Sequence, residues 1–141
     1  MMGDNERFKA DLDPETNRVA SLIVDAAFKL HSTLGPGLLE SVYESFLAHE
    51  LKLRSLQVEK QVLLPITYEN MTLDGGLRLD ILVENRIVVE LKSVESILKV
   101  HQAQLRTYLK LSGHELGLLI NFNVPVIKDG IQRIAVTKKK S

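Results

Sequence analysis

Apolar residues recur along this chain with two different periods, and the changes of period divide it into elements. Val19, Leu22, Ile23, Ala26, Ala27 and Leu30 have helical spacing, which predicts a first helix with that stripe in the core. Asp13-Pro14-Glu15 supplies its N-cap, a proline at the first helical position and an early acid, and His31 marks its end. Gly35-Pro36-Gly37 then punctuates the chain. A second helix is predicted from about Leu38 to Arg54, with Leu39, Val42, Tyr43, Phe46, Leu47 and Leu51 on its buried side. From Gln57 to Glu69 the period falls to two, and Pro65 places that strand at an edge or at a bulge. Asp74-Gly75-Gly76 predicts a turn. Leu77–Val83 and Ile87–Lys92 are aliphatic, β-branched and of strand length, joined by the polar Glu84-Asn85-Arg86. Ser93 to Ser112 reads as a helix closed by Gly113, with Ile97, Leu98, Val100, Leu105, Leu109 and Leu111 as its apolar members. Leu116 to Phe122 reads as a short buried strand, and Ile131 to Val136 as a last strand at an edge.

The order α-α-β-β-β-α-β-β predicts an α/β fold with a mixed central β-sheet flanked by helices. A length of 141 residues suits one domain with a real core. Residues 1–13 carry no periodicity and read as a loose leader, 14–136 as the domain, and 137–141 as a basic tail. No repeat or second domain is visible. There is no cysteine, which excludes disulfides and thiolate metal sites. No apolar run approaches the ~18 residues of a membrane span, and the polar, acidic start is unlike a signal peptide. A cytoplasmic protein is the expectation.

Chemistry concentrates on the two aliphatic strands. Asp80 lies on one, and Glu90-Leu91-Lys92 closes the other. Two carboxylates can hold a hard divalent cation, and an ammonium can steady an attacking water or the charge building on a phosphate. Alternation puts Glu90 and Lys92 on one face and Leu91 on the other. On the first strand Leu77, Leu79, Ile81 and Val83 are expected to share a face, with Arg78 and Asp80 opposite. Asp80 can then meet Glu90 only if the connection has an odd number of residues or a bulge. A three-residue or bulged loop is therefore predicted. Taken alone, the spacing is also that of an ordinary hairpin with a solvated polar face.

Three other regions contribute candidates. Glu40 falls in the first turn of the second helix, where an acid also suits the helix dipole. Tyr43 is one turn from Glu40 and either reaches the same cleft or packs in the core with its hydroxyl at the rim. Gln104 and Tyr108 stand at i and i+4 on one helix face, which could equally be an amphipathic surface. His31 is a candidate for the cleft, though a histidine there also serves as a helix-end cation or core filler.

Together these residues resemble a known arrangement. Asp80, Glu90 and Lys92 resemble the signature of the PD-(D/E)XK nuclease superfamily, with Leu79 where the motif often has proline. Gln104-x-x-x-Tyr108 is similar to the extra helix motif of its RecB-like branch. Gly37-x-x-Glu40-x-x-Tyr43 matches the motif of the small GxxExxY family assigned to that superfamily. The resemblance runs from about Val19 to about Ile134. It implies a restriction-endonuclease-like core and a Mg²⁺- or Mn²⁺-dependent deoxyribonuclease. Asp80, Glu90, Glu40 and the carbonyl of Leu91 would then hold the metal, and Lys92 would act on water and phosphate. Gln104, Tyr108, Tyr43 and His31 would contact substrate or brace the ligands.

Charge neither supports nor excludes this. The chain has 18 basic and 18 acidic residues, without the basic footprint of most nucleic-acid binders. Residues 1–70 carry 7 basic and 11 acidic groups and residues 71–141 carry 11 and 7, so the halves are −4 and +4. A bound metal ion would add local positive charge. The rival reading is a non-catalytic nuclease-fold module for binding or assembly, which neutral charge and the lack of a DNA-binding appendage favour. The complete acidic set with Lys92 favours the nuclease, with DNA as partner. A homodimer would extend the limited surface that so small a protein offers a duplex.

Overall fold

The computed structural model describes residues 12–136; the expected leader up to residue 11 and the basic tail from residue 137 lie outside the described residues. Helix α1 (Pro14–Leu34) starts where the Asp13 carboxylate accepts the Thr16 backbone N–H at 2.8 Å and the Thr16 hydroxyl at 3.0 Å. That is the capping its sequence predicts. It runs past His31 for three more residues and stops at Gly35. Helix α2 (Glu40–Leu53) packs beside it, and Lys29 of α1 reaches Glu50 of α2 at 2.8 Å.

Five strands follow: β1 (Val58–Tyr68), β2 (Met71–Val83), β3 (Ile87–Lys92), β4 (Leu116–Asn121) and β5 (Ile131–Ala135). They lie side by side in chain order. Only the β3–β4 pair is parallel, because α3 (Lys99–Ser112) carries the chain across between them. A one-turn 3₁₀ helix at Ile127–Gly130, which no periodicity announces, leads into β5. The sheet is thus mixed and covered on both sides, the α/β architecture expected of a restriction-endonuclease-like core. On one face Val19, Ile23, Leu47 and Leu51 of α1 and α2 meet Val83, Val89, Leu91, Leu118 and Ile120. On the other, Leu105 and Leu109 of α3 meet Leu77, Leu79, Val88 and Leu119. No helix among the described residues is long and apolar enough to cross a membrane.

Several local expectations are corrected. Asp74-Gly75-Gly76 is not a turn. It lies inside β2, and the chain reverses at Glu69-Asn70, since Tyr68 pairs with Met71. The register passes from Leu64↔Leu77 to Ile66↔Leu73, so the three residues oppose Pro65 alone as a bulge. Proline cannot donate to the ladder, and Gly75, at φ +68°, takes the left-handed backbone that absorbs the extra length. Segment 93–98 is not helical either; α3 begins only at Lys99. Its first turn is closed by His101, whose Nδ1 accepts the Leu98 N–H at 2.9 Å. On α2, Leu39 and Phe46 are exposed, and the buried side is Tyr43, Leu47, Ala48 and Leu51.

Close packing around β4 gives a test. A Cβ on Gly130 would run into the backbone oxygen of Asn121, whereas one on Gly117 would meet the end of the Leu105 side chain at 2.9 Å. Backbone cannot move aside as a side chain can. Gly130→Ala should therefore lower unfolding stability in urea by ~2 kcal/mol or more, and Gly117→Ala by less. Equal or reversed losses would contradict this packing.

Candidate functional site

The central position of β3 sets the site. Ile87, Val88, Val89 and Leu91 are buried between helices on both faces, and Glu90 is carried in with them, to 5% exposure. A carboxylate so buried needs partners. It finds them across the hairpin. The β2–β3 connection has three residues, Glu84-Asn85-Arg86, with Val83↔Ile87, Leu82↔Val88 and Ile81↔Val89 paired. Glu84 and Asn85 take the left-handed region, at φ +53° and +50°. One step further, side chains replace the backbone ladder. The Asp80 N–H donates to Glu90 Oε1 at 3.1 Å, and the Leu91 N–H donates to Asp80 Oδ2 at 3.0 Å. Each carboxylate therefore bonds the backbone of the other strand.

One sequence expectation about β2 changes here. Leu77 and Leu79 pack on the α3 side, but Ile81 and Val83 pack against α1 and α2. The strand changes its inward side at Asp80, so these four residues do not share one face. Across the sheet, at the same level of β1, Gln61 has φ +53°, a conformation costly for a residue with a Cβ. Its side chain donates to Glu44 of α2 at 2.6 Å.

Burial, and next the Asp80 charge, push the Glu90 carboxyl up to about 8, while Lys92 pulls it down. Burial is also the main cause that raises Tyr108, followed by the charges of Glu90 and Asp80. Tyr108 thus sits within the field of both carboxylates. Gln104 Nε2 donates to its hydroxyl at 3.0 Å. Lys92, His101, Gln104, Thr107 and Tyr108 line an open cleft of ≈ 540 Å³. Lys92 reaches this cleft; Asp80 and Glu90 are not part of its lining.

Glu40 is exposed at the first position of α2 and is not part of that lining. Its Oε1 accepts the N–H of Ser93, the residue after Lys92, at 3.2 Å, and the Ser93 hydroxyl donates to the Leu38 carbonyl at 2.6 Å. The loop before α2 is held from inside by Tyr43, fully buried. Its hydroxyl donates to the Gly35 carbonyl at 2.6 Å and accepts the Leu38 N–H at 3.1 Å. Its ring stacks on Phe122, centroids 4.4 Å apart. Gly35 and Gly37 have φ of +74° and +96°, which explains the glycines on either side of Pro36. Tyr43 therefore braces the loop that presents Glu40 and does not open into the cleft. His31 lies elsewhere: its Nε2 donates to the Val124 carbonyl at 2.8 Å. Leu91 has its side chain in the core and its N–H on Asp80.

Asn121 is a participant that the sequence reading missed. It is buried and pairs in register with Lys92. Its amide accepts the N–H groups of Val94 and Asn123, at 3.1 and 3.2 Å, and donates to the Val94 carbonyl at 2.9 Å. Together with Glu40 it fixes the backbone just past Lys92, which is why 93–98 cannot join the helix. The one signal in the sequence is an asparagine at the end of an otherwise apolar strand.

Among the described residues no three His, Asp or Glu side chains stand together ready to hold a metal. Glu40 is engaged by Ser93, and Asp80 and Glu90 each commit one oxygen to a backbone N–H. The Asp80–Glu90 pair does fit a hard divalent cation in its chemistry. The donors are all oxygen, each carboxylate has a second oxygen, and a positive charge would relieve their repulsion.

Comparison with known proteins is consistent with this geometry. A family model described as the PD-(D/E)XK nuclease superfamily matches residues 17–134. The chain belongs to that superfamily. The match spans every element from α1 to β5, including Asp80, Glu90 and Lys92. No curated protein matches the chain. A solved structure described as "Crystal structure of SSO0001" aligns with a TM-score of 0.47 and 23% identity over 91% of this chain. The alignment covers 64% of that longer protein.

The raised Glu90 carboxyl sets the expected pH response of the metal-free protein. Its folded pKa, about 8, lies above the ordinary value of 4.5. The neutral acid is therefore favoured on folding, and its stabilising contribution is complete below pH 4.5 and lost as pH rises through 8. Thermal melts in chelator should fall from pH 5 to pH 8.5. Glu90→Gln should flatten that slope and raise stability at pH 8.5 by at least ~1 kcal/mol. A slope unchanged by Glu90→Gln would remove this assignment.

Proposed function

We propose that this chain hydrolyses DNA phosphodiester bonds with Mg²⁺ or Mn²⁺, and that within its superfamily it belongs to the GxxExxY group of the RecB-like branch. The observation that carries the reading is the Asp80–Glu90 pair locked by reciprocal backbone bonds at the end of β3, with Lys92 two residues on. The Gly37-x-x-Glu40-x-x-Tyr43 motif and the Gln104–Tyr108 pair support the finer placement.

Asp80 and Glu90 would hold the cation, with Glu40 and the Leu91 carbonyl completing its shell. A bound divalent ion supplies Lewis-acid polarisation of the phosphate. Lys92 lines the cleft, where its ammonium would orient water and stabilise charge on the phosphoryl oxygens. Gln104 and Tyr108 line the same cleft and would position the strand to be cut. Tyr43 and Asn121 would act indirectly, by holding Glu40 and the backbone after Lys92. Burial keeps water from screening the Glu90 carboxylate, which strengthens its hold on a cation. A cytoplasmic location is part of this reading.

Two measurements test it. Calorimetric titration with Mn²⁺ should show binding that Asp80→Asn and Glu90→Gln each abolish while circular dichroism stays unchanged. Unaltered Mn²⁺ affinity in both variants would exclude the pair as the metal site. Lys92→Ala should keep Mn²⁺ binding but lose ~10² to 10⁴ of the cleavage rate on single-stranded, duplex or flapped DNA. Wild-type cleavage by Lys92→Ala would refute its role.

A further inference from the structure

Helix α2 is apolar on two sides, and the core takes only one of them. Tyr43, Leu47, Ala48 and Leu51 are buried against the rest of the molecule. A second set, Leu39, Val42, Phe46, His49 and Leu53, advances by three and four residues in turn, which is the spacing of a coiled-coil seam. Periodicity alone assigns Leu39, Val42 and Phe46 to the core, yet Leu39 is 73% exposed and Phe46 48%, and Leu53 at the far end is 64% exposed. With 3.6 residues per turn, the second set points roughly 145° away from the buried one. It therefore looks outward from the layer of α1 and α2. Helix α3 and its cleft lie on the other face of the sheet, so cover over α2 leaves that cleft open.

Charge narrows what can cover the seam. Helix α2 carries Glu40, Glu44 and Glu50 against the single lysine Lys52. Nucleic acid and anionic membranes both call for basic residues around the contact, so this helix suits neither. It does suit itself. Leu39 and Leu53 stand seven residues on either side of Phe46. A second α2 turned about Phe46 sets Phe46 on Phe46, Leu39 on Leu53 and Val42 beside His49, an isologous contact. Running the helices antiparallel also opposes their dipoles and separates the two Lys52 residues by roughly 18 Å along the axis. A parallel pair would align the dipoles and bring lysine level with lysine and His49 level with His49. Glu50 keeps its own partners, Lys29 and Arg54.

We propose that this chain forms a two-fold symmetric homodimer in which antiparallel α2 helices pack along Leu39, Val42, Phe46, His49 and Leu53. The seam is roughly 21 Å long. Two helices touching over that length remove on the order of 800 Å² from water in total, which belongs to a weak, reversible dimer.

Sedimentation of the full chain tests the association. Wild type should dimerise with a dissociation constant of about 10 to 100 µM. Phe46→Glu places two carboxylates on the two-fold axis and should weaken the dimer at least ~10-fold. Leu53→Lys repeats the test at a more exposed position, and unchanged melting curves verify folding in both. Cross-linking tests the direction, since the chain has no cysteine of its own. With a short bismaleimide, Leu39→Cys mixed with Leu53→Cys should link in far higher yield than either variant alone. A wild type that stays monomeric at about 0.2 mM overturns the proposal. So does a dimer indifferent to both Phe46→Glu and Leu53→Lys, or cysteine variants that link best each to itself. A monomeric wild type that binds phosphatidylcholine vesicles through Phe46 also overturns it, and makes the seam a lipid contact.

Discussion

Burying Glu90 in the central strand imposes a constraint that the surrounding structure has to meet. A carboxylate at 5% exposure, between helices on both faces, requires a hydrogen bond and prefers to lose its charge. The Asp80 N–H meets the first need. Asp80 in turn takes the Leu91 N–H, so two strands that could have continued their ladder are held by side chains. That exchange leaves one carboxylate beside another, which is unfavourable alone and useful to a cation.

Much of the rest follows from that exchange. Strand β2 changes its inward side at Asp80, so Leu77 and Leu79 serve α3 while Ile81 and Val83 serve α1 and α2. One strand thereby contributes to both halves of the core. Lys92 continues past the buried pair into the open cleft beside Tyr108 and Gln104. Directly beyond it, Asn121 and Glu40 clamp the backbone, and Tyr43 clamps the loop that carries Glu40. Membership of the PD-(D/E)XK nuclease superfamily fits a site made this way, from strand ends backed by packed helices.

Several features were legible in the chain because they depend on neighbours in sequence. Asp13-Pro14-Glu15 can hardly be anything but a helix start. The facing of Asp80 and Glu90 required an odd or bulged connection, and of those two the chain uses the three residues Glu84-Asn85-Arg86. Pro65 had to sit where no ladder bond is needed, and β1 is both an edge strand and bulged there. Asp74-Gly75-Gly76 was misread because glycine serves a turn and a bulge through the same backbone freedom. Which one forms depends on how far Gln57–Glu69 extends along its partner.

The sequence by itself determined the elements, their order and the residue types that can do chemistry, since periodicity, caps and charge are local properties. Tertiary structure decided where those residues stand. Segment 93–98 has helical composition, yet bonds to Asn121 and Glu40, distant in sequence, outcompete a helical turn. His31 carried a suitable side chain, but α1 turns it to Val124, away from the carboxylates. Glu40 comes to the Ser93 backbone because α2 and the end of β3 are packed together, a contact 53 residues apart in the chain. The burial of Glu90, and the pKa that follows from it, belong to no local pattern: they exist only once helices cover both faces of β3.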